Sequence, residues 1–203
     1  MTYRDTLEAR HILQAIALTQ GGFFTAKQAC DAGYQYSHLA YHVHAGNFVR
    51  SGRGLYRLKD IPSGEYEDLV RLALWSRDRG DVAQAVVSHD TALALHGLSD
   101  VMPSRVHLTV PPTFRKSSPR GVVLHKARLT PADLEDREGF RITTPLRTLI
   151  DTATTKTVSA EQFKKAIADA MDKGLIRKSQ IASAIRANPA AAEWLTDAIH
   201  ASA

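Results

Sequence analysis

The sequence predicts an α+β protein with a small N-terminal domain followed by a larger mixed domain. In the first sixty residues, three short runs with helical spacing of apolar residues precede two β-prone runs. Beyond residue 65, helical patterns alternate with short strand patterns such as 105–110 and 121–125. A chain of 203 residues has room for one domain or two small ones, and 44% hydrophobic with 23% charged residues excludes a mostly disordered protein.

Three helices are predicted before residue 46. The first covers about residues 6–19 and ends at the Gly21-Gly22 pair. Thr25 is a candidate N-cap for a second helix over 26–32, and Ser37 for a third over 38–45.

A hairpin follows, because two β-prone runs within 48–58 flank the turn Ser51-Gly52-Arg53-Gly54. Three helices and a hairpin with a basic tip are the layout of a winged helix-turn-helix domain, predicted over residues 1–60. The third helix is short and polar enough for the DNA major groove, about 12 Å wide. The glycines allow the hairpin tip to approach a duplex closely.

Charge supports a DNA surface here, because 32–59 holds Arg50, Arg53, Arg57 and Lys59 and no carboxylate. We expect Ser37, His38, Tyr41 and His42 to contact bases. Arg50, Arg53 and Arg57 are expected at phosphates or in the minor groove, and Lys27 at a phosphate. The alternative is a helical domain whose hairpin contacts another protein.

His38 and His42 are four residues apart and could share a helix face, as two metal ligands would. No Cys, Asp or Glu lies nearby in the sequence to complete a coordination shell. We therefore favour neutral imidazoles that donate and accept hydrogen bonds at a DNA surface, and predict no metal and no cofactor.

The second domain is predicted over residues 65–203, after the linker Pro62-Ser63-Gly64. It has few strands and many helices: a helix over 65–79, short strands at 85–87, 105–110, 121–125 and 141–143, and helices starting near Ser88, Thr130, Thr144, Ser159 and Lys178, with a break at Asn188-Pro189.

A second basic segment lies within 104–130, which contains no acidic residue, and it indicates a second electropositive surface. Part of it, Thr113–Pro119, is predicted to be a mobile loop. Its six cations are Arg105, Arg115, Lys116, Arg120, Lys126 and Arg128.

No Walker A, GxSxG, HExxH or GxGxxG motif occurs, so no catalytic residue is predicted. Ser88, His89 and Asp90 are adjacent and could suggest a catalytic group. We interpret Ser88 as a helix cap and Asp90 as a first-turn residue that complements the helix dipole.

No apolar stretch approaches the roughly 18 to 20 residues of a membrane span, and the first residues lack a signal-peptide layout. Cys30 is the only cysteine, which excludes an internal disulfide. We therefore expect a cytoplasmic protein without a membrane partner.

Three motifs after the predicted winged helix carry a family resemblance: Val87-Ser88-His89-Asp90-Thr91-Ala92-Leu93-Ala94-Leu95-His96-Gly97-Leu98, Val106–Val110, and Ile142-Thr143-Thr144-Pro145-Leu146-Arg147-Thr148-Leu149-Ile150-Asp151. In this order they resemble the AbiEi family, the antitoxins of bacterial type IV toxin–antitoxin, or abortive infection, systems. The resemblance runs from about Leu7 to Ile181.

The resemblance implies a non-enzymatic antitoxin and repressor. Its winged helix would bind operator DNA with inverted repeats and repress the operon. Its C-terminal domain would neutralise a nucleotidyltransferase-like toxin, typically without a stable complex, and the second basic segment would be the antitoxicity surface. The same front end also precedes endonuclease-like domains, but no carboxylate-rich nuclease motif follows Asp151 here.

Two alternatives stay open at this point. One is a stand-alone transcriptional regulator whose C-terminal domain senses a ligand or a protein partner; a downstream toxin gene would distinguish it from an antitoxin. The other is a nuclease or other enzyme, which a metal-dependent activity assay would reveal.

Overall fold

The computed structural model describes residues 3–62, 64–100 and 103–201. The chain divides into two compact units, which we call the first unit (1–84 with 136–140) and the second unit (85–135 with 141–203). The first unit thus continues past the predicted linker Pro62-Ser63-Gly64. Ser63 of this linker and the first two residues of the chain lie outside the described residues. The prediction of domains at 1–60 and 65–203 stays a prediction.

The first unit combines helices with a three-stranded antiparallel sheet of order β1-β3-β2. The elements in chain order are α1 (Tyr3–Leu18), β1 (Phe23–Thr25), α2 (Ala26–Asp31), a 3₁₀ turn (Tyr36–His38), α3 (Leu39–His44), β2 (Phe48–Gly52), β3 (Leu55–Leu58) and α4 (Glu67–Trp75).

One apolar core holds the first unit together. Leu13 of α1, Phe24 of β1 and Leu39 of α3 are almost fully buried in it. The ring of Phe24 contacts Phe48 edge-to-face at 4.9 Å and stacks on Tyr56 at 5.8 Å, which joins the strands to the helices. The helices α1, α2 and α3 therefore pack on the face of the sheet that carries Phe24, Phe48 and Tyr56.

The second unit contains most of a five-stranded mixed sheet of order β6-β5-β4-β8-β7 and five helices among the described residues. The elements are β4 (Val86–Val87), α5 (His89–Leu95), β5 (Val106–Val110), β6 (Val122–Lys126), a 3₁₀ turn (Pro131–Asp133), β7 (Leu134–Arg137), β8 (Phe140–Thr143), α6 (Pro145–Thr155), α7 (Ala160–Asp172), α8 (Lys178–Ala187) and α9 (Pro189–Ala201).

The directions of β4 and β8 place the starts of α5 and α6 at the same edge of the sheet. β4 runs parallel to β8, with Val87 beside Ile142, so α5 and α6 both start at the carboxyl ends of these strands. β5 is antiparallel to β4 and parallel to β6. Leu93, Leu149 and Phe163 lie almost fully buried in a core built by α5–α9.

The prediction of an α+β protein is confirmed, and most predicted elements lie within a few residues of their observed bounds. Thr25 and Ser159 form capping boxes with Gln28 and Gln162. Two strands, β1 and β7, were not predicted. Each is short, and neither shows a clear period-2 alternation of apolar residues.

Three local predictions are wrong. Ser37 does not cap α3, whose N-cap is His38 without a side-chain bond. Ser88 is the N-cap of α5, but its hydroxyl bonds to other side chains instead of capping the helix. The capped segment at Thr130 is one 3₁₀ turn that leads into β7, not a helix.

In the part of the chain that the structure describes, no helix has both the length and the apolar character that crossing a membrane requires.

Candidate functional site

The solvent side of α3 and of the turn before it carries three of the predicted DNA-contacting residues. Leu39 is buried and Val43 packs on the core, which turns the other side of the helix outward. Ser37, His38 and Tyr41 are exposed, Tyr41 to 67%. Hydroxyl and imidazole groups both donate and accept hydrogen bonds, as base edges require.

Tyr36 is a further exposed aromatic residue on this surface that the sequence analysis did not select. It lies in the 3₁₀ turn before α3 and is 69% exposed. Its signal in the sequence was weak, because a tyrosine in a turn is compatible both with a core and with a binding surface. Its position beside Ser37 and His38 adds it to the candidate base-contacting surface.

His42 does not belong to this exposed group. Its ring stacks on Phe48 at 4.8 Å and meets Tyr34 edge-on at 5.1 Å, and its Nδ1 lies 3.3 Å from the side-chain nitrogen of Asn47. Burial, and then the neighbouring charge of His38, lower the pKa of His42. This imidazole therefore packs α3 against β2 in its neutral form.

The hairpin of β2 and β3 exposes Arg50 and Arg53. Arg50 lies opposite Tyr56 in the ladder, close to the bulge between Arg50 and Gly52. Arg53 lies in the turn, where Gly54 has a φ of +67° that side chains larger than glycine's rarely adopt. Both arginines are exposed near the tip of the hairpin.

Arg57 lies on the other face of the same hairpin and its side chain is only 14% exposed. It pairs with Val49 in the ladder, one residue away from Arg50, so the two side chains leave the sheet on opposite sides. The guanidinium donates to the carbonyl of Ile61, lies over the ring of Phe23 and is 3.8 Å from the carboxylate of Glu67. The structure therefore does not bring Arg57 together with Arg50 and Arg53.

Two lysines of the first unit also lie near this surface. Lys27 is exposed in the first turn of α2, and its phosphate contact stays a prediction. Lys59 is exposed as well, and its amine would lie 4.0 Å from a Cβ at Gly46, directly after α3. A candidate phosphate contact at Lys59 was missed because its place beside α3 arises from the return of the hairpin.

The six cations that we call the C-terminal basic set are all exposed: Arg105, Arg115, Lys116, Arg120, Lys126 and Arg128. They do not form one patch. Because β5 and β6 are parallel, Arg105 and Arg120 lie just before the start of the pair, and Lys126 lies opposite Val110 at its end, which is five residues or about 16 Å from Arg105 at roughly 3.3 Å per residue.

Arg115 and Lys116 lie in the loop between β5 and β6. Contacts anchor this loop on both sides, since Phe114 is only 9% exposed and the Ser118 hydroxyl donates to the carbonyl of Val122 at 2.7 Å. The two cations therefore project from a tethered segment.

Three histidines and Asp90 form a polar cluster in the second unit that the sequence analysis did not predict. The rings of His89 and His125 stack at 3.6 Å, and His125 Nε2 lies 3.2 Å from His107 Nδ1. His107 Nε2 is 4.0 Å from Asp90 Oδ2. Spacing in the sequence could not reveal the cluster, because the histidines come from α5, β5 and β6.

Burial keeps these imidazoles neutral. It lowers the pKa of His89 to about 3, and the charges of His125, His107 and Arg147 act in the same direction. Burial also lowers the pKa of His107 and of His125, against an opposing effect of Asp90 in both cases. His89 additionally has a φ of +51°, which is uncommon for a residue with a side chain.

Ser88, His89 and Asp90 do not form a catalytic relay. The Ser88 hydroxyl is buried, lies 2.9 Å from His89 Nδ1 and accepts a hydrogen bond from Thr109 at 2.8 Å. Asp90 is directed instead towards His107 and the hydroxyl of Thr157. A relay needs one imidazole that joins the hydroxyl to the carboxylate, and here two different histidines contact them.

The geometry of the cluster also differs from a metal site. His107 directs its two nitrogens to different partners, His125 and Asp90, so these partners cannot share one ion with it. Across residues 3–62, 64–100 and 103–201, the structure contains no group of three or more His, Cys, Asp or Glu side chains placed to hold a metal ion.

Arg147 joins two acidic residues beside the cluster. Its Nε donates to Asp151 at 2.9 Å, and its Nη1 is 3.6 Å from Asp133. The second oxygen of Asp151 is buried without a hydrogen-bond partner, and burial raises the pKa of Asp151 to about 6 despite the opposing effect of Arg147. Arg147 therefore compensates a carboxylate that would otherwise be costly to bury.

Two family models match different parts of this chain. A family model described as a transcriptional regulator and AbiEi antitoxin matches residues 11–59, and a model of the AbiEi antitoxin C-terminal domain matches residues 84–195. A crystal structure of the RV2827C protein from Mycobacterium tuberculosis is similar to this chain with 15% identity, a TM-score of 0.48, and coverage of 96% of this chain and 81% of that one. The search of curated proteins returned no match.

Proposed function

Because the chain belongs to the AbiEi antitoxin family, we propose that it binds operator DNA through its first unit to repress its own operon, and that it neutralises a nucleotidyltransferase-like toxin through its second unit. The operator would contain inverted repeats, as the family resemblance implies.

The observation that carries the DNA-binding part is the exposed surface of α3 and the hairpin tip, which is formed by a segment of the sequence without carboxylates. Ser37, His38 and Tyr41 would contact base edges, and Arg50 and Arg53 would contact phosphates or the minor groove. Phosphates repel carboxylates, and the sequence contains no Asp or Glu between residues 32 and 59.

Two of the predicted contacts, His42 and Arg57, have another role in this proposal. His42 and Arg57 support the DNA surface from behind, since each is held by contacts within the first unit. Lys27 retains its proposed phosphate contact because it is exposed.

A salt series tests the DNA-binding part. The probe is the duplex upstream of the gene, and the variant is the double substitution Arg50→Ala, Arg53→Ala. Each phosphate contact contributes about −0.9 to the slope of log K against log salt, so the slope should become shallower by nearly 2. Arg79→Ala, which removes an exposed arginine of the same unit after α4, is the control and should leave the slope unchanged. An unchanged slope in the double variant would contradict the proposal.

For toxin neutralisation we propose the C-terminal basic set, in particular Arg115, Lys116 and Arg120. These side chains are exposed on and beside a tethered loop, where they can face an acidic protein surface or an RNA. Growth of cells that express the toxin with the triple alanine variant tests this. Growth should stop, whereas the charge-matched variant Lys164→Ala, Lys178→Ala, Arg186→Ala should still protect.

Full protection by the Arg115, Lys116 and Arg120 variant would reject this surface. The stand-alone regulator is the alternative function, and it would be favoured if no toxin gene accompanies this one. That outcome would leave the operator proposal intact, because the salt series does not involve the toxin.

A further inference from the structure

The first unit contains a cavity of about 370 Å³ between α1, the end of α3 and the segment after β3. Its volume lies within the range of roughly 300 to 1,000 Å³ that is usual for small-molecule sites. Two of its lining residues, His42 and Asn47, belong to α3 and to the turn that follows it. The cavity therefore adjoins the proposed DNA-contacting helix.

One wall of the cavity is apolar and aromatic. Leu13, Leu58 and Ile61 line it together with the rings of Tyr34 and Phe48. Tyr34 and Phe48 meet edge-on at 5.6 Å, and both contact the ring of His42, so the three rings hold each other in place. An apolar ligand group would find a preformed surface here.

Most of the remaining lining is polar and carries both signs of charge. Arg10, Gln14 and Asp60 line the cavity, and none of the three forms a hydrogen bond or ion pair with another described residue. The charge of Arg10 lies close enough to Tyr34 to affect the pKa of its hydroxyl. Arg10 and Asp60 are exposed, so they lie at the open side of the cavity, where a cation and an anion offer complementary partners to a molecule that carries both charges.

We propose that this cavity binds a free amino acid with an apolar or aromatic side chain. The ligand carboxylate would contact Arg10, its ammonium group would contact Asp60, and its side chain would pack on Leu58 and Ile61, two apolar lining residues that are only partly buried. A ligand with only one of the two charges would leave either Arg10 or Asp60 without a partner.

The site regulates DNA binding, and this step rests on the proposed function of the first unit. α3 is a single short helix that contacts the core mainly through Leu39 and Val43. A ligand against His42 and Asn47 would restrict the helix in its observed position. Binding of the ligand and of the operator would then favour each other, with an expected coupling of about fivefold or more in affinity.

Calorimetry on the full chain without DNA tests the site itself. The probes are L-leucine and L-phenylalanine, and the single-charge analogues are 3-phenylpropionate and 2-phenylethylamine. We expect one of the two amino acids to bind, and at least about tenfold weaker binding in Arg10→Gln and Asp60→Asn, because hydrogen bonds between charged groups are lost. Arg79→Gln and Asp31→Asn are the matched controls, and thermal melting confirms that every variant is folded.

Three outcomes would overturn the proposal: no heat with either amino acid at millimolar concentration, equal binding of the single-charge analogues, or unchanged binding in both cavity variants. Operator binding measured without amino acid tests the proposed function separately. If the amino acid binds while operator binding fails, the site stands and its regulatory role is rejected.

Discussion

His89 shows how a single residue can set the pH dependence of the second unit. Its imidazole is buried against His125, and its pKa falls from the ordinary 6.5 to about 3. The unfolded chain therefore binds a proton more readily than the folded chain between these two values. Its contribution to stability is complete above about pH 6.5 and is lost progressively as the pH falls towards 3.

We expect the free energy of unfolding to be lower at pH 5 than at pH 7.5, by up to about 2 kcal/mol from His89 alone. His89→Asn should flatten this dependence, because asparagine does not titrate and tolerates the positive φ. Urea unfolding followed at both pH values measures the effect. His11→Asn removes an exposed histidine of α1 and should leave the dependence as it is. A parallel pH profile for His89→Asn and the unsubstituted chain would show that His89 is not its source.

A second prediction at the scale of one residue concerns the contribution of Arg147 to stability. Arg147→Met removes the partner of the buried Asp151 and should lower the free energy of unfolding by about 3 kcal/mol at pH 8. The loss should be smaller at pH 5, where Asp151 is protonated because burial has already raised its pKa to about 6. Chemical unfolding at the two pH values measures both losses.

The control for this prediction is Arg186→Met, which removes an exposed arginine from α8. It should change stability by less than about 0.5 kcal/mol. Equal losses at pH 5 and pH 8 in Arg147→Met would mean that Asp151 does not depend on Arg147 in the way described.

At the scale of the element, the sequence predicted what local patterns determine. The Thr25 and Ser159 caps follow from residues three positions apart, and both are confirmed. Ser88 is likewise a residue type that favours the N-cap, but Thr109 lies 21 residues away and engages its hydroxyl. Tertiary contacts of this kind override a local preference and leave no sign in the sequence.

In the hairpin of the candidate site, too, the local sequence predicts some features, whereas others depend on how the strands pair. Its existence and its basic tip were predicted from glycine and β-prone residues, and Arg50 and Arg53 are exposed as a DNA contact requires. The face that each arginine occupies depends on ladder register and on the bulge after Arg50, which composition does not specify. Whether these residues contact DNA stays a prediction.

The turn between β7 and β8 provides a prediction about backbone geometry. Gly139 has a φ of +81°, and an added Cβ would lie 2.9 Å from a methyl group of Val70 and 3.2 Å from the Cα of Gln20. Gly174 has a φ of +68° but no heavy atom within 4 Å of such a Cβ. The two positions share the backbone strain and differ in the space available.

Gly139→Ala should therefore destabilise the protein by about 2 to 3 kcal/mol, and Gly174→Ala by about 1 kcal/mol from backbone strain alone. Thermal melting of both variants in the same buffer gives the comparison. Equal losses would indicate that Val70 moves aside without cost.

At the scale of the whole molecule, the two sets of exposed cations belong to different units. Arg50 and Arg53 lie in the first unit, and Arg115, Lys116 and Arg120 lie in the second. The segregation of charge along the sequence predicted two electropositive surfaces, but the split of the C-terminal basic set between the two ends of β5 and β6 follows only from their parallel pairing.

Repression and neutralisation should therefore be separable by substitution. The double hairpin variant should derepress an operon reporter and still protect cells from the toxin, whereas the triple loop variant should repress normally and fail to protect. Reporter activity and growth, measured in the same strains, give both readouts. Loss of both activities in either folded variant would mean that the two units do not act independently.

The opposite orientation of Arg50 and Arg57 has a consequence for how such proteins can diversify. A new operator preference can arise through changes at the hairpin tip, because side chains there support no other part of the fold. Arg57 belongs to the same hairpin and lies only two residues after Leu55, the first residue of β3. Replacing Arg57 would nevertheless disturb its contacts with Phe23, Ile61 and Glu67 together. Drift in target sequence should thus accumulate at positions 50 and 53 while position 57 stays fixed, so that neighbouring arginines evolve at different speeds.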